Sequence, residues 1–225
     1  MAYAQVTLSD LKVALALKYD GSPFWTAEEA RLAINEGLRV WNSITGYWRT
    51  RITLTTIPND HYVPLPGTLA YKSRVEFNSS PLSPASLEGL DGGRPSWEGE
   101  TTATGGSVPT APKFWAPVSL DLIVIWPADA AGGGTLTIDG MAQTPVLTAD
   151  GDYVDLGIEE HNQLLGYALH ILSFKLGGEV FKATYPLYQS WVKAAGERNA
   201  QFKASALYRS VLNIDLGKDE VPVKA

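Results

Sequence analysis

The sequence feature that most constrains the fold is a helical pattern that runs from Thr26 to Trp48. Thr26 and Glu29 have the Thr-x-x-Glu spacing of a capping box, in which the two side chains satisfy free amides of the first turn. One stripe of apolar or small side chains then recurs at spacings of three and four: Ala30, Ala33, Ile34, Gly37, Leu38, Trp41, Ile44 and Trp48. This stripe needs a partner, and the next strong helical pattern begins only at Ile158.

The polar positions of the same helix complete its amphipathic pattern. Arg31, Asn35, Glu36, Arg39 and Asn42 fill the side opposite the stripe, so we expect them to face solvent. Within the stripe, Ala33 and Gly37 are small and four residues apart, which would let the backbone of another helix approach closely.

The chain length and the residue types exclude several classes of protein. A chain of 225 residues suits one large domain or two small ones. There are no cysteines, which excludes disulfides and cysteine-bound metals. No apolar run approaches the roughly 20 residues that span a bilayer, and residues 1–5 lack the basic and apolar regions of a signal peptide. We therefore expect a soluble protein made and used in the cytoplasm, with no membrane partner.

The net charge of −6 is unevenly distributed. Between Ser79 and Glu160 there are twelve acidic residues, against only Arg94 and Lys113. An acidic module is a poor general binder of nucleic acid, because such binding depends on Lys and Arg. The favoured interpretation of this acidic segment is that its charge keeps the protein soluble. The alternative is that it forms an acidic surface that faces a partner or lines a channel.

The pattern along the chain changes from helical to strand-like and back. A first helix from Asp10 to Lys18, capped by Ser9, precedes the long one. Alternating or β-rich segments then predict strands at 49–57, 61–65, 69–77, 118–126, 135–142 and 153–156. Residues 78–117 are rich in Pro, Gly, Ser and Thr and contain one predicted helical turn at 83–88. From residue 158 the pattern predicts a helix to Gly177-Gly178, a short helix ending before Pro186, and a last helix to Leu212.

This order predicts an α+β fold in which N- and C-terminal helices form a bundle. A large antiparallel β domain, a sandwich or a barrel-like structure, is inserted between them. The predicted parts are residues 1–48 and 158–212 for the bundle, 49–157 for the β domain, and an extended tail over 213–225. The side chains assigned to helix packing are Ala33, Gly37, Trp41, Trp48, Leu165 and Leu172.

Residues suited to catalysis or metal binding are sparse. His61, His161 and His170 are the only histidines, and no serine lies in a Gly-x-Ser-x-Gly elbow. Glu159-Glu160-His161 lacks the His-Glu-x-x-His frame, and Asp150-Gly151-Asp152 lacks the spaced oxygen ligands of a calcium loop. We predict that the chain is not an enzyme and binds no metal and no cofactor.

Two tryptophans of the long loop region suggest a different kind of site. Trp97 and Trp115 could form an interface of the β domain, which is the favoured interpretation, or a sugar-binding surface. Arg49 and Arg51 follow Trp48, a cluster that could bind nucleic acid. Alternating arginines on the outer face of a strand are the favoured interpretation.

Taken together, the sequence resembles head–tail connector (adaptor) proteins of tailed bacteriophages. The segments that carry the resemblance are Phe24-Trp25-Thr26, Ala33 to Asn42, Ile125-Trp126-Pro127-Ala128-Asp129, Leu164 to His170 and Ser173-Phe174-Lys175. The resemblance implies a structural virion protein at the head–tail junction, made in the bacterial host cytoplasm. It also implies a ring, usually of twelve copies, that lies beneath the portal protein and contacts downstream tail or tail-completion proteins.

The resemblance also implies how such a ring is held. The C-terminal segment commonly docks on the portal, which here points to Asn213, Ile214, Leu216, Val221 and Val223. DNA would pass through the ring without specific binding. The alternatives are a tail-completion or tail-associated virion protein, a carbohydrate-binding module on a helical stalk and, least favoured, a small-substrate enzyme.

Overall fold

A computed structural model describes residues 5–19 and 23–204, with side chains as far as residue 201. The chain divides into two compact units. The β unit is residues 48–143, and the helical unit consists of the described residues up to 47 and from 144 onward. The sequence interpretation placed the end of the inserted domain at residue 157. The predicted α+β class is confirmed.

The elements are as follows. The helices are α1 Leu8–Lys18, α2 Ala27–Thr45, α3 Leu87–Gly93, α4 Ile158–Ser173 and α5 Gly178–Ala204. The strands are β1 Arg49–Thr55, β2 Tyr62–Pro64, β3 Leu69–Phe77, β4 Ser80–Pro81, β5 Ser83–Pro84, β6 Phe114–Pro117, β7 Leu122–Trp126 and β8 Thr135–Ala142.

Capping boxes start the first two helices. In α2, Thr26 Oγ1 accepts from the amide of Glu29 at 3.2 Å, and Glu29 Oε2 accepts from the amide of Thr26 at 2.7 Å, as predicted. In α1 the cap is Thr7 rather than Ser9, because Thr7 forms the same reciprocal pair with Asp10.

The end of α2 differs from the prediction. The helix stops at Thr45 because Gly46 adopts a left-handed conformation, with φ of 58°, that closes the last turn. Trp48 therefore lies beyond the helix and belongs to the β unit, and its assignment to the helix stripe was wrong.

The segment 144–157 packs in the helical unit rather than extending the β unit. The Asn35 side chain donates to the carbonyl of Leu147 at 2.9 Å and accepts from its amide at 2.8 Å. Asn35 is buried by this contact, and Asn42, which donates to Thr144 Oγ1 at 3.1 Å, is buried as well, although both lie on the polar side of the helical pattern. The strand predicted at 153–156 is reduced to an isolated bridge between Tyr153 and Thr7.

The C-terminal helix is longer than predicted. The structure shows α5 running without a break through Pro186, where a helix end was predicted. Proline removes one backbone hydrogen bond from a helix, and packing of α5 on α4 and α2 holds the helix through that point. The predicted helix end at Leu212 and the tail 213–225 lie outside the described residues.

The β unit is a sandwich of two four-stranded sheets, with strand orders β1-β8-β3-β4 and β2-β7-β6-β5. The described pairings are antiparallel except β5 with β6. The side chains between the sheets form the first core: Val63, Leu65, Leu69, Val75, Phe77, Leu82, Trp115, Ile123, Ile125, Leu136 and Ile138. Among the described residues there is no closed barrel, so the sandwich alternative holds.

The long loop region covers the other face of the second sheet. Alternate residues of β7 point to opposite faces, so Ile123 and Ile125 face the first core while Val124 and Trp126 face a second. The loop completes that second core with Leu90, Trp97 and Val108. The predicted helical turn at 83–88 was misplaced: residues 83–84 form β5, and α3 begins at Leu87 with Ser86 as its cap.

Candidate interaction surfaces

The interior of the helical unit is built on close approach of α2, α4 and α5. A Cβ atom added at Gly37 would lie 2.5 Å from the end of the Leu164 side chain on α4, so that side chain would have to turn away to admit it. The indole of Trp191 on α5 stacks on Trp41 with 4.7 Å between ring centroids, and its Nε1 donates to the carbonyl of Gly37 at 3.2 Å. Ala33, Leu165 and Leu172, also assigned to helix packing from the sequence, are buried in the same unit.

A series of aromatic rings leads from this interior to the surface. Tyr167 lies beside Trp191, Tyr188 beside Tyr167, and His170 beside Tyr188, with centroid separations between 5.7 and 6.4 Å. His170 then stacks on Phe181 at 4.4 Å. Burial raises the pKa of Tyr167 to about 12 and lowers that of His170, which favours the neutral form of both rings.

The aromatic series ends in exposed apolar side chains at the connection between α4 and α5. Phe174 contacts Phe181 edge to face and is 72% exposed. Leu176, Val180 and Tyr185 are exposed as well. We call Phe174, Leu176, Val180 and Tyr185 the turn patch. Clustered apolar exposure of this kind is typical of a protein–protein contact.

A second apolar surface lies on α1. Leu8, Leu11 and Leu15 are buried, whereas Val13 and Leu17 on the other side of the helix are exposed, Leu17 by 81%. Val13 and Leu17 are four residues apart and therefore share one face, which we call the α1 face. The helix is apolar on two sides, and only one of them is covered by the described residues.

The β unit presents its most exposed apolar side chain, Leu120, on a loop whose backbone is held by Lys72. Lys72 Nζ donates to the carbonyls of Ser119 and Leu120 at 2.8 and 2.7 Å. Burial lowers the pKa of Lys72. The Leu120 side chain, 78% exposed, is thereby fixed at the tip of the β6–β7 connection. We call residues 118–121 the Leu120 loop.

The outer face of the first sheet is charged rather than apolar. Arg51 donates to both carboxylate oxygens of Asp139 at 2.5 and 2.8 Å, and Arg74 is paired with Glu76. The Arg51 hydrogen bond lowers the pKa of Asp139, which stays ionised at neutral pH. The exposed Arg51 side chain thus follows the outward-facing interpretation of the sequence, and internal pairing accounts for its charge.

A cleft of about 310 Å³ lies in the β unit beside α3. Its lining includes Leu90, Arg94, Phe114 and Trp126. The Arg94 guanidinium lies 4.6 Å from the centre of the Trp126 ring, and both side chains bond to Glu100. The polar groups of the cleft are therefore already used within the unit, which leaves a mainly apolar lining.

The structure removes the reason for assigning Trp97 and Trp115 to an interface. Trp97 is 2% exposed in the second core, and Trp115 is 7% exposed in the first. Neither indole presents a face to a partner or a sugar. Their position in a long Pro- and Gly-rich region suggested exposure, but this region folds over the second sheet and buries Trp97 beneath it.

The sequence did not single out the residues that are most exposed. Phe174 and Leu176 lie at the end of the helix predicted from residue 158, just before Gly177-Gly178, and this position was the available signal for an apolar turn. Leu120 lies between Ser119 and Asp121, a polar setting that marks a turn. The five tail residues assigned to portal docking lie outside the described residues.

The described histidines occupy separate surroundings. His61 Nδ1 lies 3.1 Å from the carbonyl of Ile125, and His170 Nδ1 lies 2.9 Å from Thr184 Oγ1. His161 lines a cavity of about 290 Å³ with Tyr47 and Tyr153. Within residues 5–19 and 23–204, no group of three or more His, Asp or Glu side chains could hold a metal ion. No helix in this part of the chain is both long and apolar enough to cross a membrane.

Comparison with known protein families gives a match over most of the chain. The sequence model of a family described as SU10 adaptor protein matches residues 6–218, which is nearly the whole chain and includes both units. No curated protein sequence matches the chain.

Proposed function

The chain belongs to the SU10 adaptor protein family, a family of structural bacteriophage proteins, and from this we propose that copies of it form a ring at the head–tail junction. The ring lies beneath the portal, usually with twelve copies in such adaptors, and joins the capsid to the tail around the DNA channel. The role is structural and involves no catalysis.

The observation that supports a ring is the unequal distribution of exposed large apolar side chains. Among the described residues the β unit has six, namely Ile57, Tyr62, Tyr71, Phe114, Val118 and Leu120. The helical unit has eleven: Val13, Leu17, Leu32, Tyr47, Val146, Tyr153, Ile158, Phe174, Leu176, Val180 and Tyr185. Burying apolar surface stabilises an association by about 25 cal/mol per Å². The helical unit therefore has most to gain from contact with other copies, through the turn patch and the α1 face.

The β unit suits a different kind of contact. The charged outer face of its first sheet is already paired, so this face contributes solubility more than adhesion. The Leu120 loop offers a small fixed apolar contact for a tail or tail-completion protein. Such a contact is local and would leave the ring itself to the helical unit.

The tail 213–225 is the proposed link to the portal, through Asn213, Ile214, Leu216, Val221 and Val223. The negative charge between residues 79 and 160 supports passage of DNA without binding, since like charges repel phosphate. Both proposals concern the assembled particle, and membership of an adaptor family implies a virion location.

Electron microscopy of mixtures with purified portal tests the proposal. We would compare the full chain with a chain that ends at Leu212. If the full chain adds a ring layer and the shortened chain does not, the portal-proximal position and the role of the tail are both supported. If both add the layer, the tail is not the anchor.

If neither chain binds the portal, the position beneath it is wrong. The same chains would then be mixed with purified tail components. A layer formed there, but not on the portal, would favour the alternative of a tail-completion protein.

A further inference from the structure

One of the edge strands of the sandwich is both long and free of proline. The four edge strands of the two sheets are β1, β4, β2 and β5. The last three have two or three residues and each ends in proline, which blunts an edge because proline has no amide hydrogen. In contrast, β1 has seven residues and no proline.

The outward-facing peptide groups of β1 can be identified from its pairing with β8. The amide of Ala142 donates to the carbonyl of Trp48, and the amide of Thr56 donates to the carbonyl of Gly134. Hydrogen-bonded pairs alternate along an antiparallel ladder, so the even-numbered residues between these two positions bond to β8. The peptide groups of Arg51, Thr53 and Thr55 point away from the sheet, and among the described residues they have no backbone partner.

The two faces of this edge differ in chemistry. Ile52 and Leu54 pack against the first core while remaining partly accessible. Arg51, Thr53 and Thr55 are exposed on the outer face. A strand added to β1 therefore needs apolar side chains on one face and polar ones on the other.

The C-terminal part of the chain contains a segment with that pattern. From residue 212 the sequence reads Leu-Asn-Ile-Asp-Leu, followed by Gly217. The apolar and polar residues alternate strictly, which is the period of a half-buried strand.

We propose that residues 212–216 of one copy add as an antiparallel strand to the β1 edge of a neighbouring copy. In the register that matches both faces, Ile214 lies beside Ile52 and Leu212 beside Leu54. On the outer face Asp215 lies opposite Arg51, and Asn213 lies opposite Thr53. The peptide groups of Arg51 and Thr53 then each exchange two hydrogen bonds with the added strand.

The arrangement suits a ring because every copy donates one segment and accepts one. Such a head-to-tail contact closes on itself around a rotation axis. The eight residues that follow Ala204, up to and including Leu212, can span up to about 28 Å when extended, which allows the segment to leave its own copy. This inference rests on the proposed ring. Because Asn213, Ile214 and Leu216 lie in the added strand, only Val221 and Val223 of the five tail residues remain for the proposed contact with the portal.

Disulfide trapping tests the register directly, because the natural chain has no cysteine. Full-length Thr53→Cys is mixed with full-length Asn213→Cys and oxidised, with and without portal. Opposite residues in a hydrogen-bonded antiparallel pair have Cα atoms about 5.5 Å apart, within the range of a disulfide. The matched control is Thr137→Cys mixed with Asn213→Cys. Thr137 lies opposite Thr53 on β8, the next strand of the sheet. It is therefore about 10 Å from the added strand, which is too far for a disulfide.

The expected result is a linked pair of copies for residues 53 and 213 and none for residues 137 and 213. A chain that carries both Thr53→Cys and Asn213→Cys should give a ladder of linked copies. A link found only within single chains would overturn the contact between copies, and equal linkage at residues 53 and 137 would overturn the register.

The outcomes separate this inference from the proposed function. A ring layer on the portal without the 53–213 link overturns the strand addition and leaves the adaptor role standing. The link without any portal binding supports the strand addition and contradicts the position beneath the portal. If neither the ring layer nor the disulfide link forms, both the strand addition and the position beneath the portal are contradicted.

Discussion

The helical unit and the β unit differ in how far their surface side chains are paired or covered. In the β unit the outer face of the first sheet is closed by ion pairs such as Arg51 with Asp139, and its two tryptophan-containing cores are complete. In the helical unit an aromatic series runs from the buried Trp41–Trp191 stack out to Phe174 at the surface. The core of the helical unit therefore continues into a surface that the described chain does not cover.

This difference indicates a division of labour. A unit with satisfied polar faces tolerates solvent on all sides, while a unit with exposed aromatic and aliphatic groups is stabilised by association. The helical unit is expected to carry most of the contacts between copies. The β unit is expected to add peripheral contacts through the Leu120 loop and the β1 edge.

The largest expected effect comes from truncating the aromatic core of the helical unit. Trp191→Ala removes a fully buried indole that stacks on Trp41 and donates to Gly37. We expect a loss of about 3–5 kcal/mol in the free energy of unfolding, measured by urea denaturation followed by circular dichroism. Hydrogen exchange should rise in α2, α4 and α5 more than in β1 and β8. An equal rise in hydrogen exchange in both units would contradict the expectation that this substitution acts mainly on the helical unit.

The same glycine-to-alanine change should have unequal consequences for the stability of the two units. At Gly140 in β8 an added methyl group collides with the carbonyl oxygen of Tyr71, and we expect a loss of about 1–3 kcal/mol. At Gly37 in α2 it meets the end of the Leu164 side chain, which can turn away. Alanine also favours a helix over glycine by about 1 kcal/mol.

Gly37→Ala should therefore change the free energy of unfolding by less than about 1 kcal/mol. The urea denaturation midpoints of Gly37→Ala and Gly140→Ala, each compared with the natural chain, test these two expectations. A more severe effect at Gly37 than at Gly140 would mean that the α2–α4 contact is the more rigid of the two.

A smaller effect tests whether charge also stabilises the helical unit. Hydrogen bonds from the Thr26 amide and then from Lys175 lower the pKa of Glu29 to about 2, against 4.5 for a free side chain. Because the folded pKa is the lower one, the stabilisation is complete above about pH 4.5 and is lost as the pH falls toward 2. The free energy of unfolding of Glu29→Gln should fall less steeply in that window than that of the natural chain.

Urea denaturation at several pH values between about 5 and 3 measures the slope. The control is Glu197→Gln, a change at an exposed position of α5 that should leave the slope as it is. Parallel curves for Glu29→Gln and the natural chain would show that the cap makes no pH-dependent contribution.

The smallest effect on stability is expected from substitutions of exposed residues. For these, the difference between the two units should appear in assembly of the ring. Phe174→Ser and Leu120→Ser each remove an exposed apolar side chain, one from each unit. Both should change the free energy of unfolding by less than about 0.5 kcal/mol. Phe174→Ser should reduce ring formation on the portal, while Leu120→Ser should leave it intact. The opposite result in electron micrographs would reverse the assignment of the two units.

Local signals in the sequence predicted most of the elements. The capping box at Thr26 and Glu29 specified where α2 begins, and the strand patterns at residues 69–77 and 135–142 predicted β3 and β8 with the observed bounds. Each of these depends on neighbouring residues alone, so no knowledge of the tertiary structure was needed.

The errors occur where distant residues decide the outcome. Asn35 looks like a solvent-facing residue until Leu147 is brought to it, and that contact spans more than a hundred positions. Pro186 looks like a helix end, but the packing of α5 on its neighbours outweighs the lost hydrogen bond. Trp97 looks like a loop residue available to a partner, and the fold of the loop buries it. The exposed surfaces were missed for the same reason, because exposure at Phe174 or Leu120 is set by what the rest of the chain leaves uncovered.

The most direct measurement is a reconstruction by electron microscopy of the full chain assembled on purified portal, at a resolution that separates the two units of each copy. We predict a closed layer in which neighbouring copies contact each other chiefly through their helical units, with the turn patch and the α1 face covered. A layer whose copies meet only through their β units, with Phe174 and Leu17 still exposed, would contradict this account.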